Sequence, residues 1–147
     1  MKIFQIVNQL PVPENIRPYM ENVHSFFSDY ELIIEPSIKK PMDSELFKIK
    51  YLLKYPDAMF LDWHITIDKP FDFEFSDKPY VFGGQYYWKN GCPGTAIYGN
   101  GRIDVLQKIA GEHKEGRCIH DVIYQNINLV EYFPDGYLTH NQELKCQ

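Results

Sequence analysis

Several features that define large protein classes are missing from this sequence. No stretch approaches the ~20 apolar residues that a membrane-spanning helix needs. The three cysteines, Cys92, Cys118 and Cys146, form no CxxC pair, and an odd count favours a reducing compartment over a disulfide scaffold. The N-terminal segment MKIFQIVNQL lacks a small-residue cleavage site and reads as a strand rather than a signal peptide. We therefore expect a cytoplasmic protein without a transmembrane segment.

An excess of positive charge and the common nucleotide-binding motifs are missing as well. The formal net charge is −5, which argues against a nucleic-acid partner because such binders normally present a basic face. None of the patterns GxGxxG, GxxxxGK[ST], GxSxG and HExxH occurs, which argues against the dinucleotide, P-loop, serine-hydrolase and zinc-protease classes. With 147 residues and no internal repeat, the chain is expected to form a single domain over 1–147.

The first half of the chain alternates short apolar runs with amphipathic segments. Short apolar runs predict buried strands, and apolar residues at helical spacing predict helices between them. The predicted order is a strand at Lys2–Val7, a helix from Pro13-Glu14 to about Phe27, a strand at Tyr30–Ile34, a helix from Asp43 or Ser44 up to Pro56-Asp57, and a strand at Ala58–Leu61. This alternation predicts an α/β fold with a mainly parallel sheet, flanking helices and right-handed crossovers.

The second half has shorter elements and more turn residues. Phe71–Phe75 alternates aromatic and acidic residues, which predicts a two-faced strand or an edge segment. The turn Gly99-Asn100-Gly101 precedes a helix and could cradle an anion, although an ordinary turn explains it as well. The remaining predictions are a strand at Thr95–Tyr98, helices at Arg102–Glu112 and Cys118–Asn126, a strand at Leu129–Phe133 and a loop over 134–140.

Asp62 and His64 are the sharpest candidates for chemistry. They directly follow the strand at Ala58–Leu61, and ligands of open α/β sheets bind outside the carboxyl ends of the strands. A carboxylate with an imidazole suits Mn²⁺ or Zn²⁺ better than Mg²⁺, so the pair predicts a divalent-metal site that His140 would complete. The alternative is structural: Asp62 caps a turn, His64 packs beside Trp63, and His140 is a surface residue.

Other histidines leave two interpretations open. His120 and Asp121 could form an acid–base pair on a helix, although capping or solvation explains them more simply. Cys118 precedes His120 by two residues, and on one helix that spacing would keep the two side chains apart. His24 and His113 are expected on helix faces.

The order of these elements resembles a known family. The N-terminal run KIFQIVNQLPVPENIRPYMENVHSFFSDYELIIEP is similar to the opening of GT-A-type glycosyltransferases with a D-x-D sugar-binding region, a group that includes mannosyl-, galactosyl- and capsular-polysaccharide transferases. The resemblance covers about residues 2–70 and, more loosely, 98–109. It implies the GT-A fold of nucleotide-diphospho-sugar transferases.

The helix, turn and strand before Asp62 carry the most specific part of the resemblance. Glu45 and Lys48 hold the positions of an acidic and a basic residue three apart on the family's helix. Pro56-Asp57 stands where the family has Gly-Gly, and Asp62-Trp63-His64 stands for its D-x-D. Lysine here replaces the family's arginine, and His64 replaces the second aspartate. That replacement keeps a metal ligand but removes one negative charge.

The resemblance also implies roles for individual residues. Gln5, Val7 and Asn8 would line the nucleotide base and ribose. Glu45 and Lys48 would face the donor sugar or its diphosphate. Asp62 would be the catalytic metal ligand, joined by His64 and His140.

These roles divide the chain into two functional halves. Residues 2–70 would form the nucleotide-sugar half, and 71–140 the half that binds the acceptor and completes the metal site. The implied cofactors are Mn²⁺, or another divalent metal, and a UDP-sugar or GDP-sugar. The aromatic segment Gln85–Trp88 would bind a glycan or other acceptor, because aromatic faces pack against sugar rings.

Three functions are therefore compatible with the sequence. The first is a hexosyltransferase that moves a sugar from a nucleotide-sugar to an acceptor with a divalent metal. The second is a catalytically degenerate GT-A fold that serves as a binding or interaction module, as the D-x-H sequence would allow. The third is a metal-dependent phosphodiesterase or nuclease, which needs Asp62, His64, His120 and Asp121 to converge.

Overall fold

The computed structural model describes residues 1–39, 41–83, 93–113 and 117–141, with backbone alone at 41 and 42. The strands are β1 (Ile3–Val7), β2 (Tyr30–Ile34), β3 (Met59–Leu61), β4 (Ile65–Ile67), β5 (Tyr80–Val81), β6 (Ala96–Tyr98), β7 (Glu131–Tyr132) and β8 (Leu138–His140). The helices are α1 (Arg17–Phe26), α2 (Pro41–Lys54), α3 (Ile103–His113) and α4 (Ile119–Gln125). Short 3₁₀ turns lie at Pro93–Thr95 and Ile127–Leu129.

A six-stranded sheet in the order β2-β1-β3-β6-β5-β7 organises the chain. β1 pairs parallel with both β2 and β3, and β5 pairs parallel with β7, whereas β6 runs antiparallel to both of its neighbours. β4 and β8 form a separate antiparallel pair. The predicted α/β fold with a mainly parallel sheet is confirmed.

Both faces of the sheet are covered. Along β3, Phe60 packs with α2, α3 and α4 on one face, while Met59 and Leu61 pack on the other with Val23 of α1. Residues on a strand point alternately to the two faces, so burial on both sides requires the uninterrupted apolar run seen at 58–61. Asn22 of α1 also holds β4, because its amide donates to the Ile67 carbonyl at 3.1 Å and its oxygen accepts the Ile67 amide at 2.7 Å.

Helix α1 begins four residues later than predicted. The helix starts at Arg17, and Pro18 occupies its first turn. Proline is tolerated in the first turn, where its missing amide hydrogen is not needed, but it would break a helix that had started at Pro13. The prediction of a helix from Pro13-Glu14 was wrong because it gave Pro18 no weight.

The end of the chain differs most from the predictions. Leu138–His140 was predicted to lie in a loop but forms β8, in which Leu138 pairs with Ile67 and His140 pairs with Ile65. A three-residue strand next to turn-forming residues is too short to show the alternating pattern of a strand. Only its pairing with β4 reveals β8. The predicted strand at Leu129–Phe133 is reduced to β7 after a 3₁₀ turn, and Phe71–Phe75 forms no strand.

The turn Gly99-Asn100-Gly101 is a packing turn rather than an anion cradle. The Gly99 amide donates to the Ala58 carbonyl at 3.2 Å, and the Gly101 amide donates to the Pro56 carbonyl at 3.0 Å. A Cβ on Gly99 would lie 2.2 Å from the Pro56 oxygen, so only glycine permits this approach. The turn therefore fixes the start of α3 against the loop before β3.

Among the described residues, no helix combines the length and apolar character needed to cross a membrane.

Candidate active site

The carboxyl ends of β1 and β3 open into a pocket. One crossover leads from β1 to β2 and the next returns past β1 to β3, so the switch point of the parallel strands lies between β1 and β3. A cavity of about 550 Å³ lies there, and we call it the β1–β3 pocket. Its lining residues are Ile6, Val7, Asn8, Gln9, Pro13, Asn15, Ile16, Ile38, Lys39, Ser44, Phe60, Asp62, Trp63 and His64.

Asp62 is held through its amide, its carbonyl and its carboxylate at the edge of this pocket. Its amide donates to the Thr95 carbonyl at 2.7 Å, and its carbonyl accepts the Gln5 side-chain amide at 3.2 Å. Its carboxylate oxygen Oδ1 accepts the Trp63 amide at 2.9 Å. The bond from the Trp63 amide is the turn-capping contact that the structural interpretation of Asp62 predicted. It uses Oδ1 only, so the second carboxylate oxygen, Oδ2, can still bind a ligand.

Of the residues predicted to line a nucleotide, Val7 and Asn8 line the pocket and Gln5 does not. The Gln5 side chain is fully buried, and its oxygen accepts the Tyr30 hydroxyl at 2.8 Å while its amide holds Asp62. The Tyr30 bond therefore orients the Gln5 side chain, and the Gln5 NH₂ group in turn holds the Asp62 carbonyl. Burial raises the pKa of Tyr30 to about 12, so this hydroxyl stays a donor.

His64 and His140 meet beside Asp62. β8 places His140 opposite Ile65, and the Nε2 atoms of the two histidines are in hydrogen-bond contact. The other nitrogen of His64, Nδ1, lies 3.9 Å from Asp62 Oδ1. It is buried and has no hydrogen-bond partner among the described residues. Burial lowers the pKa of His64, so the ring is neutral and can present a lone pair.

Glu45 and Lys48, predicted to face the ligand, are instead buried and bonded to the protein. Glu45 Oε2 lies 2.9 Å from His113 Nε2 and accepts the Ile119 amide at 3.4 Å, which ties α2 to α3 and α4. Lys48 Nζ donates to the Gly94 carbonyl at 2.9 Å and lies 4.9 Å from the centre of the Phe60 ring.

The charge on Lys48 belongs to the electrostatics of the site. Burial lowers the pKa of Lys48, while the negative charges of Asp62 and Glu45 oppose that shift. Lys48 is not itself a lining residue, but its ammonium lies over the ring of Phe60, which lines the pocket. The sequence predicted that Glu45 and Lys48 matter to the site, but it carried no sign of the His113 contact, which joins residues far apart in the chain.

The charges of Lys48, Glu45 and Asp62 also act on His120, which the sequence singled out only as a possible acid–base partner of Asp121. Its Nδ1 accepts the Gly94 amide at 3.1 Å. Burial and the Lys48 charge lower its pKa to about 4, against the opposing charges of Glu45 and Asp62. Its sequence neighbour Asp121 is exposed. The four-residue convergence that a nuclease would need is therefore incomplete.

Cys118 and His120 come together, although helical spacing predicted that they would not. Cys118 is the residue before α4, with an extended backbone (φ −60°, ψ 137°), so the helical rule does not apply to it. A carboxylate oxygen of Glu45, the Cys118 sulfur and a His120 nitrogen all lie within 4.8 Å of one another.

These three donor atoms have metal-like spacing but the wrong protonation for a metal ion. The Gly94 amide already occupies the lone pair of His120 Nδ1, and in a neutral ring with that lone pair in use the proton sits on Nε2. Neither nitrogen is then available as a ligand. The Lys48 ammonium beside Glu45 and Cys118 further disfavours a second cation.

His120→Asn is expected to remove a pH dependence of stability. Because its pKa falls from the ordinary 6.5 to about 4 on folding, the unfolded chain binds the extra proton between these values. The free energy of unfolding should therefore rise with pH from about 4 to about 6.5, by up to about 3 kcal/mol, and level off above this window. Urea titrations at pH about 4.5 and about 7 measure this difference.

The matched control is His24→Asn, at an exposed position on α1. It should keep the wild-type dependence on pH. The same dependence in His120→Asn would show that His120 does not stay neutral in the folded chain.

The fold is shared with glycosyltransferases of known structure. The chain is similar to a glycosyltransferase involved in the glycosylation of the major capsid of PBCV-1, at 14% identity and a TM-score of 0.58, covering 90% of this chain and 80% of that one. It is also similar to the apo-form glycosyltransferase GlyE of Streptococcus pneumoniae TIGR4, at 11% identity and a TM-score of 0.50, covering 91% of this chain. It spans only 38% of the GlyE chain. At these identities the likeness shows the fold alone.

No protein-family model and no curated protein matches the sequence.

Proposed function

We propose that this chain is a glycosyltransferase that binds a nucleotide-sugar with a divalent metal and transfers a hexosyl group to an acceptor. One observation carries the proposal: a buried His64 nitrogen without a hydrogen-bond partner among the described residues lies 3.9 Å from Asp62 in the β1–β3 pocket, at the switch point of a glycosyltransferase-like fold. Open α/β sheets bind ligands at such points.

The β1–β3 pocket suits the nucleotide part of the donor. Its volume of about 550 Å³ lies within the usual range for small-molecule sites. Val7 supplies apolar surface, and the Asn8 amide offers both a donor and an acceptor to a base or ribose. Lys39 is exposed on the wall, where an ammonium would attract a diphosphate.

Asp62 and His64 fit a divalent metal such as Mn²⁺. The Asp62 carboxylate, whose Oδ1 lies 3.9 Å from His64 Nδ1, and a neutral imidazole can bind the same ion. Without a ligand, His64 Nδ1 is a buried nitrogen with no hydrogen-bond partner among the described residues. A bound metal would neutralise charge on the departing nucleoside diphosphate.

His140 fits better as the residue that orients His64 than as a third ligand. The two ring nitrogens of an imidazole point in different directions. His64 Nε2 contacts His140, whereas His64 Nδ1 lies near Asp62. A hydrogen bond at the outer nitrogen is the usual way to fix the tautomer of a metal-binding histidine. In this arrangement both halves of the chain, 2–70 and 71–140, contribute to the site.

Gln85–Trp88, which the sequence predicts to bind the acceptor, lies outside the described residues. UDP-sugars and GDP-sugars both remain candidates for the donor.

The second candidate is a nucleotide-binding module without transfer activity. It is favoured by His64 in place of an aspartate, because the site then holds one negative charge fewer against a metal ion. The two candidates differ in catalysis rather than in binding, so a binding assay followed by a transfer or hydrolysis assay separates them.

The first test is a calorimetric and thermal-shift titration of the full chain with UDP, GDP and their sugars, with and without Mn²⁺. A ligand at about 100 times its dissociation constant should add about 2.7 kcal/mol to the free energy of unfolding. Stabilisation that requires Mn²⁺ is the expected result. If neither nucleotide stabilises the protein with the metal present, the proposal is wrong.

A further inference from the structure

The turn that carries Asp62 and His64 is closed by its own hydrogen bond. The Ile65 amide donates to the Asp62 carbonyl at 3.0 Å, which makes residues 62–65 a β-turn with His64 at its third position. The same carbonyl accepts the Gln5 side-chain amide at 3.2 Å. The peptide group that follows Asp62 is thereby attached to β1.

Asn141 holds the other end of this turn. The residue directly follows β8, and its backbone amide and its side-chain amide each donate to the His64 carbonyl at 3.0 Å. The side-chain amide also donates to Thr66 Oγ1 at 2.9 Å, which orients the group against β4. Asn141 therefore holds the backbone of His64, while its neighbour His140 contacts the His64 ring.

These contacts leave His64 little freedom to turn away from Asp62. The ring is contacted at Nε2 and the carbonyl accepts two hydrogen bonds, while Nδ1 lies 3.9 Å from Asp62 Oδ1. Nδ1 is also the ring nitrogen without a hydrogen-bond partner among the described residues. Contacts behind a metal-binding residue orient its ligand atom and raise its affinity for the ion.

We propose that Asn141 is a positioning residue of the divalent-metal site, which fixes the direction of His64 as Gln5 fixes that of Asp62. This inference rests on the function proposed above. Asn141 acts through the His64 backbone rather than by contact with the ion. Because Gln5 lies on β1 and Asn141 follows β8, the two ends of the turn are fixed by distant segments of the chain.

Two substitutions test this role. Asn141→Ala removes the side-chain bonds but keeps the backbone amide, so the pairing of β8 with β4 should survive. The matched control is Asn100→Gly, because the Asn100 side chain also donates to two carbonyls, those of Ser76 and Lys78, at 2.8 Å each. Asn100 lies in the turn that contacts the loop before β3, at the end of the strand opposite to Asp62, and glycine accepts its positive φ of 52°.

Mn²⁺ titrations of the full chain, alone and with UDP or GDP present, measure the affinity for the ion. Asn141→Ala is expected to weaken Mn²⁺ binding about tenfold, the lower end of the usual loss when a residue that supports a metal ligand is removed. Asn100→Gly should bind Mn²⁺ as the wild type does. Thr66→Val is a milder second variant, which removes one bond of the Asn141 amide and should weaken Mn²⁺ binding by less.

The other outcomes overturn the inference in distinguishable ways. Mn²⁺ binding by Asn141→Ala at wild-type strength would remove Asn141 from the site and leave the proposed function intact. Equal weakening in Asn141→Ala and Asn100→Gly would mean a general loss of stability rather than positioning. No Mn²⁺ binding by the wild type under either condition would reject this inference together with the metal-dependent transferase.

A second measurement needs no metal ion. Long-range ¹H–¹⁵N spectra of the imidazole side chains distinguish the two tautomers of a histidine ring. The His64 ring should show one tautomer, with its hydrogen on Nε2, in the wild type and in Asn100→Gly, and a mixture of tautomers in Asn141→Ala. The same His64 spectrum in all three proteins would overturn the inference whatever the Mn²⁺ titrations show.

Discussion

Asp62→Asn is expected to abolish Mn²⁺-dependent nucleotide binding. The amide removes the negative charge that holds the metal but keeps an oxygen to accept the Trp63 amide, which the Asp62 carboxylate accepts at 2.9 Å. The metal-dependent stabilisation of about 2.7 kcal/mol at 100 times the dissociation constant should disappear. Any transfer or hydrolysis rate should fall by about a thousandfold or more, because a metal supplies several kcal/mol of transition-state stabilisation.

The control for this variant is Asp121→Asn, which removes an exposed carboxylate on α4. Both variants lose one negative charge, so a general electrostatic effect on an anionic ligand would appear in both. Only Asp62→Asn should lose the metal requirement. Full Mn²⁺-dependent binding by Asp62→Asn would remove Asp62 from the metal site and with it the main support for the transferase proposal.

Glu45→Ala is expected to give the largest loss of stability among the site residues. Glu45 and His113 are 8% and 4% exposed, and the substitution leaves His113 and the Ile119 amide without their buried partner. Removing one member of a buried pair typically lowers the free energy of unfolding by about 3–5 kcal/mol. Urea titration measures it as a shift of the midpoint at an unchanged slope.

Glu45→Gln provides the matched comparison. Its side-chain oxygen can still accept from His113 and the Ile119 amide, so it should retain much of the stability that alanine loses. If Glu45→Ala and Glu45→Gln unfold at the same urea concentration, the contacts of Glu45 with α3 and α4 contribute little, and the link between α2 and those helices must lie in apolar packing alone.

The first half of the fold could be read from local patterns. Apolar runs predicted β1, β2 and β3, and Pro56 predicted where α2 must end. The placement of Asp62 after a buried strand predicted its position at the carboxyl edge of the sheet. These signals act over a few residues, through dihedral preferences and burial of one or two faces, so the order of residues alone carries them.

The partners of the site residues could not be read in the same way. His140 reaches His64 only because β8 pairs with β4, and His113 reaches Glu45 only because α3 packs against α2. Cys118 and His120 converge because the backbone is extended just before α4. The sequence shows each of these side chains but not what it contacts.

The sequence by itself determined the α/β alternation and the acid–imidazole pair at Asp62 and His64. Only the tertiary structure decided that Gln5 donates to the Asp62 carbonyl, that Glu45 and Lys48 are buried and bonded to the protein, and that the Gly94 amide holds His120. The physical reason is distance along the chain. Strand and helix formation depends on neighbouring residues, whereas a polar contact between distant segments depends on how the whole sheet and its helices pack.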